Sequence, residues 1–306
     1  MDPNLTKLSA YAGKYEKKLF STLINSLDIA NDITVYPGIK NTLKLTKLKV
    51  LAGAKPFTDV FEAAGDALEY SGRDLVVRMG KRELLISPTK YRQSWMSEVM
   101  KPGVNPEDIP FAEYVWNQVM LELAAEINDS TAYNGVYNAA GATAADIATG
   151  FAKLIADEIT ATNLVPVVTG AITNTNAVSK FEQMWKSLPV TYRKAGANLY
   201  CSFNSYDKYQ EDYREKYGKY MEVPDGGYGY IDGSSRKGVL KPVTWMNTSS
   251  RLITTPKENL LLGCDLLSDL NKINTVPALW TMQVGIAFGI GFQIRDLEAI
   301  KVNDQV

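Results

Sequence analysis

From Phe111 to Tyr133 the chain runs without a proline, a glycine, a lysine or an arginine. Nothing in such a stretch interrupts a helix. Upstream of it, Pro106-Glu107-Asp108 places a proline and two acids where a helix begins. The pattern predicts one helix over Pro106–Tyr133. On it Trp116, Val119, Met120, Leu123 and Ile127 gather on one stripe, and Tyr114, Leu121 and Ala125 make a second, smaller apolar face. Glu122, Glu126 and Asp129 fall between the two. The expectation is a central helix covered on more than one side, with an acidic edge left over.

At 306 residues the chain has room for one large domain or two modest ones. Hydrophobic residues make up 45% and charged residues 22%, enough for a real core. A formal net charge of -1 argues against nucleic-acid binding over the whole surface, though not against a local basic patch. No apolar run approaches the roughly twenty residues of a membrane span, and Met1-Asp2-Pro3-Asn4 lacks the marks of a signal peptide. Cys201 and Cys264 sit in apolar surroundings and read as packed, reduced thiols of a cytoplasmic setting. There is no histidine at all, which removes Ser-His-Asp and Cys-His nucleophiles, histidine zinc sites and imidazole acid–base work. Carboxylate or magnesium chemistry survives, with Glu211-Asp212, or Asp265 with Asp269, as candidate chelators. Adjacent acids on helices are more often simply solvated.

Toward the N-terminus, Leu5–Leu27 reads as an amphipathic helix through Leu8, Tyr15, Leu19, Leu23 and Leu27. Lys7, Lys14, Lys17 and Lys18 make its other side basic, either a solvated face or an arm near nucleic acid. Asp32–Lys49 turns extended, with a turn at Val35-Tyr36-Pro37-Gly38 and Leu43 and Leu45 in a strand-like arm. It has few partners nearby in sequence, so it is expected to lie against something distant or another subunit. Arg73–Ser87 reads as a hairpin closed by Gly80-Lys81 as a two-residue type II′ turn. That register sets Arg78 opposite Glu83, Val77 opposite Leu84, Val76 opposite Leu85 and Leu75 opposite Ile86. Arg73, Arg78, Lys81, Arg82, Lys90 and Arg92 make the charge around it positive.

Beyond the central helix, Thr143-Ala144-Ala145-Asp146 has the form of a capping box, leading a helix with Ile147, Phe151, Leu154, Ile155 and Ile159 on one face. Leu164–Ile172 reads as a strand, Asn176–Leu188 as a helix stopped by Pro189, Asn198–Ser202 as a strand and Ser205–Tyr217 as a tyrosine-rich helix. This alternation predicts a compact α/β unit. Asp225–Gly238 is glycine-rich but lacks the Gly-Lys-Ser/Thr ending of a phosphate loop, and no apolar strand leads into it, so it reads as a mobile surface loop. In the last strand Val284, Ile286, Phe288, Ile290, Phe292 and Ile294 alternate with Gly285, Ala287, Gly289, Gly291, Gln293 and Arg295. One face is large and apolar. The other is small, and the central helix is the neighbour expected to approach it closely.

Taken in order, these elements resemble the tailed-phage major capsid proteins of the Hong Kong 97 type. The resemblance covers essentially the whole chain and rests on element order rather than a short motif. Asp32–Lys49 matches the N-terminal arm, Arg73–Ser87 the extended hairpin loop and Pro106–Tyr133 the spine helix. Gly226–Gly238 matches a loop near the symmetry axis, with Leu279–Arg295 and Ala299–Val302 returning to the peripheral sheet. The resemblance implies an α+β fold with an N-terminal helix and arm at 1–50, an extended loop at 51–104, a peripheral domain at 105–142 and 266–306, and an axial domain at 143–265. It implies a structural protein rather than an enzyme, self-assembling through hexamers and pentamers into an icosahedral virion shell in the host cytoplasm. The shell would enclose packaged double-stranded DNA and carry a portal. The few residues before the arm point to a separate scaffolding protein or none. No cofactor, metal or membrane belongs to this reading. Encapsulin compartment shells share the fold and are the nearest alternative; a carboxylate and magnesium enzyme is the more distant one. A shell protein spends much of its surface on copies of itself. From charge alone, the expected subunit contact sets Arg73, Arg78, Lys81 and Arg82 of the hairpin across Glu122, Glu126 and Asp129 of a neighbour's spine helix.

Overall fold

A computed structural model describes residues 3–50, 68–87, 111–221, 227–265, 272–278 and 281–305, with a few single positions between them. In chain order the first elements are helices α1 (Pro3–Asn25) and α2 (Asp28–Asp32), then strands β1 (Thr34–Pro37), β2 (Thr42–Val50), β3 (Leu68–Val76) and β4 (Arg78–Ile86). The central helix is described as α3 (Phe111–Glu126), and the expected start at Pro106 lies outside the described residues. Val115, Trp116, Met120, Leu123 and Ala124 are buried on it. Of the second apolar face, Tyr114 packs against the core that these residues share, whereas Leu121 is 46% exposed and Ala125 is exposed. At its C-terminal end α3 widens into a π-helical turn, Ile127–Thr131, which carries Asn128 and Thr131 into the interior.

The longest strand, β10 (Met282–Ile294), organises the larger sheet. Strand β9 (Lys272–Pro277) pairs with its first half and β8 (Leu260–Cys264) with its second, both antiparallel on one side. β4 runs antiparallel along the other side, and β1 adds parallel to β8. The arm's first strand therefore does find a partner far away in sequence. Val284, Ile286, Phe288, Ile290, Phe292 and Ile294 are all buried in one core with Trp116, Met120 and Leu123 of α3 and Leu19, Phe20 and Leu23 of α1. The spine thus shares a core with the large face of β10, not the small one. What crowds the small face is the chain between β3 and β4: a Cβ on Gly291 would stand 2.1 Å from the Val76 carbonyl oxygen, and one on Gly289 3.0 Å from the Val77 side chain.

No hairpin joins β3 to β4. β3 pairs with β2 in a separate two-stranded ribbon, whereas β4 pairs with β10. Gly80 lies inside β4 opposite Phe288 with no positive φ, so no type II′ turn forms there and the expected pairings of Leu75–Arg78 with Glu83–Ile86 are not made. The reason is steric. A Cβ at residue 80 would come within 2.9 Å of Ile147 and Phe288, so this glycine serves close packing instead of a turn. Cross-strand complementarity in Arg73–Ser87 is real, but each half finds a nine-residue ladder elsewhere, β3 with β2 and β4 with the largely buried β10.

A second core lies around α5 (Ala177–Ser187), α7 (Phe203–Tyr217) and a four-stranded sheet ordered β11-β7-β5-β6, formed by Lys301–Val302, Ile253–Thr255, Ala197–Cys201 and Gly238–Pro242. Val178, Phe181, Trp185 and Leu188 are buried there as their spacing predicts. Helix α4 (Phe151–Thr160) precedes this unit, and α6 (Val190–Ala195) connects α5 to β5. The capping box at Thr143 and Asp146 forms, but on a 3-10 turn, Ala144–Asp146, with α4 beginning later at Phe151. Leu164–Ile172 is no strand. Only Val167 bridges, to Asn303, while Val165 and Val168 are 72% and 76% exposed. The glycine-rich segment also departs from expectation where it is described: Ile231 is buried in the second core, and the Asp232 amide donates to the Tyr209 hydroxyl at 3.0 Å. One isoleucine anchors what the glycines alone would leave loose. The sheets also cross the expected boundary at residue 265: β8, before it, belongs with β10, and β11, beyond it, completes β7.

Candidate functional site

One basic residue of the expected hairpin, Arg82, meets the acidic edge of the spine within one chain. Because β4 pairs with β10 and β10 shares a core with α3, β4 is carried past the end of the spine helix. Arg82 Nη1 lies 3.0 Å from Glu126 Oε2, and Nη2 lies 3.7 Å from Glu122 Oε2. The complementarity read from charge is made, but by a subunit with itself. Such a half-exposed pairing is worth ~0.2–1 kcal/mol.

The other basic residues scatter. Arg78 stacks on the Tyr137 ring, 4.3 Å from its centroid. Lys81 pairs with Glu83 at 3.1 Å, both side chains over 70% exposed. Arg73, on β3, turns inward to Glu158 at 2.6 Å and donates to Gln293 Oε1 at 3.0 Å. Asp129 is exposed on the π turn, its carbonyl accepting from the Asn247 side chain at 2.8 Å. The seven residues therefore form no single patch.

Other groups stitch the N-terminal segment to the body. Asn128, turned inward by the π turn, accepts from the Ile29 amide at 3.3 Å and donates to the Thr244 hydroxyl at 3.0 Å, which donates in turn to Asp28 at 3.0 Å. Trp245 Nε1 donates to Asp32 at 3.1 Å, and the Tyr200 hydroxyl to the Asp32 carbonyl at 2.8 Å. Burial raises the Asp32 pKa against the opposing pull of Trp245 and Lys241. Periodicity carries no sign of these contacts, since each partner comes from a different part of the chain. The Asp-rich Asp28–Asp32 was the one available signal.

The candidate chelators are placed as well. Asp212 is buried and accepts from the Val178 amide at 2.6 Å, which caps α5, and Glu211 accepts from Asn174. Asp265 is buried, and Asp269 lies outside the described residues. No cluster of three or more metal-ligating side chains occurs among the described residues. Both thiols are buried, with no disulfide; burial raises the pKa of Cys201 and pushes that of Cys264 up to about 12. Among the described residues no helix is long and apolar enough to cross a membrane.

No protein-family model and no curated protein matches this sequence. Solved structures do match. The satellite phage P4 procapsid aligns with 94% of this chain and 90% of its own at a TM-score of 0.55 and 13% identity. The capsid of the myovirus XM1 aligns with 90% of this chain and 91% of its own, with a TM-score of 0.54 and 14% identity. The chain has the tailed-phage major capsid fold. The capsid fold also reaches the SrpI encapsulin of Synechococcus elongatus, which aligns with 90% of this chain and 86% of its own at a TM-score of 0.50 and 10% identity. At such identities the likeness lies in the fold alone.

Proposed function

We propose that this chain is the major capsid protein of a tailed bacteriophage, a structural subunit that closes with its own copies into an icosahedral shell of hexamers and pentamers. The observation that carries this reading is the ribbon. Two-stranded sheets are marginal alone, yet β2 and β3 project Leu48, Val50 and Leu68 outward at 50%, 64% and 54% exposure, in a chain of capsid fold. Exposed apolar surface on an extended element fits contact with a second copy. Leu121 and Ala125, exposed on the spine, fit the same role. Of the charged residues expected at subunit contacts, Lys81, Glu122 and Asp129 stay exposed, Lys81 and Glu122 even while pairing with Glu83 and Arg82, whereas Arg73 and Arg82 turn toward partners in their own chain.

Under this reading the chain divides into arm, extended loop, peripheral domain and axial domain. The shell encloses double-stranded DNA, meets a portal, uses a separate scaffolding protein and assembles in the host cytoplasm without catalysis. The likeness to an encapsulin supports a second reading, a compartment shell around protein cargo. Electron microscopy of the purified protein, with and without co-expressed scaffold, tests both. Closed shells are expected, and nucleic acid inside separates the first reading from the second. A protein that remains a monomer or dimer under every condition would overturn both.

A further inference from the structure

In the ribbon, antiparallel partners share a face. Leu43 with Leu75, Leu45 with Arg73 and Lys47 with Ser71 face the body; Lys44 with Asp74, Thr46 with Gly72 and Val50 with Leu68 face away. The inward face changes character along its length. At its base Leu75 is fully buried with Ile39, Val77 and Leu261, and Leu43 and Leu45 pack against them. Beyond Leu45 the described inward side chains of β2 hold on through charge alone. Lys47 Nζ lies 2.9 Å from Asp296 Oδ1 and 3.0 Å from Glu298 Oε2, and Lys49 lies 3.7 Å from Glu298.

The acceptor is also held by partners other than the lysine. The Asp296 amide donates to Asn259 Oδ1 at 2.7 Å, the Glu298 amide donates to Asp296 Oδ1 at 3.0 Å, and the Tyr192 hydroxyl donates to Asp296 Oδ2 at 3.4 Å. Around Lys47 the ribbon is undercut. A cavity of about 670 Å³ lies beneath, lined by Leu45, Lys47, Tyr192, Lys237, Lys257 and Asp296. A smaller one of about 290 Å³ lies between Lys47, Gly72, Arg73 and Leu297.

We propose that the ribbon is a strap, hinged on its apolar base and fastened over the larger cavity by a Lys47–Asp296–Glu298 clasp that weakens as ionic strength rises. Partly exposed ion pairs are screened by salt, whereas the apolar contacts of the hinge are not. Salt therefore acts on one end of the strap and spares the other. A two-stranded ribbon lifted from its support frays, which makes its amide exchange a report on the clasp.

Hydrogen–deuterium exchange of the full chain, followed by mass spectrometry at ~0.05 M and ~1 M salt, tests this. Residues 42–50 are expected to exchange about tenfold faster at high salt. Lys47→Met should do the same at low salt, and Lys47→Arg should keep the protection. Residues 282–294 should stay protected throughout. Two results would overturn the proposal: a Lys47→Met ribbon as protected as the wild type, or a rise in exchange shared equally by residues 282–294, since the clasp would then be only one contact of the global fold. The readout needs no shell, so it stands or falls apart from the proposed function.

Discussion

Gly291 faces the Val76 carbonyl so closely that a Cβ would stand 2.1 Å from the oxygen and 2.9 Å from its carbon. Both atoms are backbone, and β3 cannot retreat without pulling Leu75 from its buried place. Gly291→Ala should therefore destabilise the subunit by ~3 kcal/mol or more, or leave it insoluble. Gly285 lies in the same strand, and a Cβ there would meet nothing within 4 Å. Gly285→Ala should be neutral or stabilise by ~0.5–1 kcal/mol. Urea unfolding of the two variants separates a packing requirement from a general preference for glycine.

Asn128 joins the π turn to α2 and to Thr244. Asn128→Ala leaves the buried Ile29 amide without its acceptor, at a cost of ~1–3 kcal/mol. The loss should be local: faster amide exchange at residues 28–33, with the second core unchanged.

Asp304 accepts from the Thr169 amide at 3.0 Å, the Thr169 hydroxyl at 3.0 Å and the Gly170 amide at 3.1 Å. Burial works to raise its pKa, but these bonds and one from Gln305 hold it down at about 2. A depressed carboxylate pKa contributes stability that is complete above the ordinary value of ~3.9 and is lost as pH falls toward the folded one. Thermal melts between about pH 5 and about pH 2 should show a steeper acid loss for the wild type than for Asp304→Asn. Parallel curves would mean that these hydrogen bonds do not favour the ionised form.

The Arg82 pairing within the chain gives a mixing test. Arg82→Glu with Glu126→Lys in one chain should fold and assemble as the wild type does. Whatever assembly either single variant loses, mixing the two should not restore it, because neither subunit regains its own pair. Recovery in the mixture would mean that the pair forms between subunits.

On the ribbon's outward face, Leu48→Asp with Val50→Asp should block shell formation and leave the monomer's melting temperature within ~2 °C of wild type, since both side chains are half-exposed or more. Normal shells from this variant would remove the ribbon's outer face from the assembly reading.

Elements with strong internal periodicity were legible in advance. The buried stripes of α3 and α5, the alternation of β10 and the capping box at Thr143 all follow from local spacing. What escaped was partner choice. Arg73–Ser87 carries a self-complementary pattern, yet Leu75 and Ile86 end in different sheets because β2 and β10 each offer a nine-residue ladder, and β10 a buried one as well. Leu164–Ile172 has the composition of a strand but makes one bridge, and Ile231 anchors a glycine-rich segment that composition alone marks as loose. For the candidate contact surface, the signs of charge were readable, and one such pair, Arg82 with Glu126, forms within the chain. Whether the two belong to one chain is a property of the crossing between sheets, which no local window contains.

That crossing has a mechanical side. A single residue, Val77, separates the strap from the sheet edge; it is 5% exposed, and its amide donates to the Asn41 carbonyl at 2.7 Å. If the strap lifts as proposed, Val77 is the point about which β3 turns. Nine residues of β3 reach ~30 Å, so a tilt of ~10° about Val77 sweeps the far end through ~5 Å. β4, by contrast, is paired with β10 along its whole length, so that swing ends at Val77 and leaves Arg82 in place at the end of the spine.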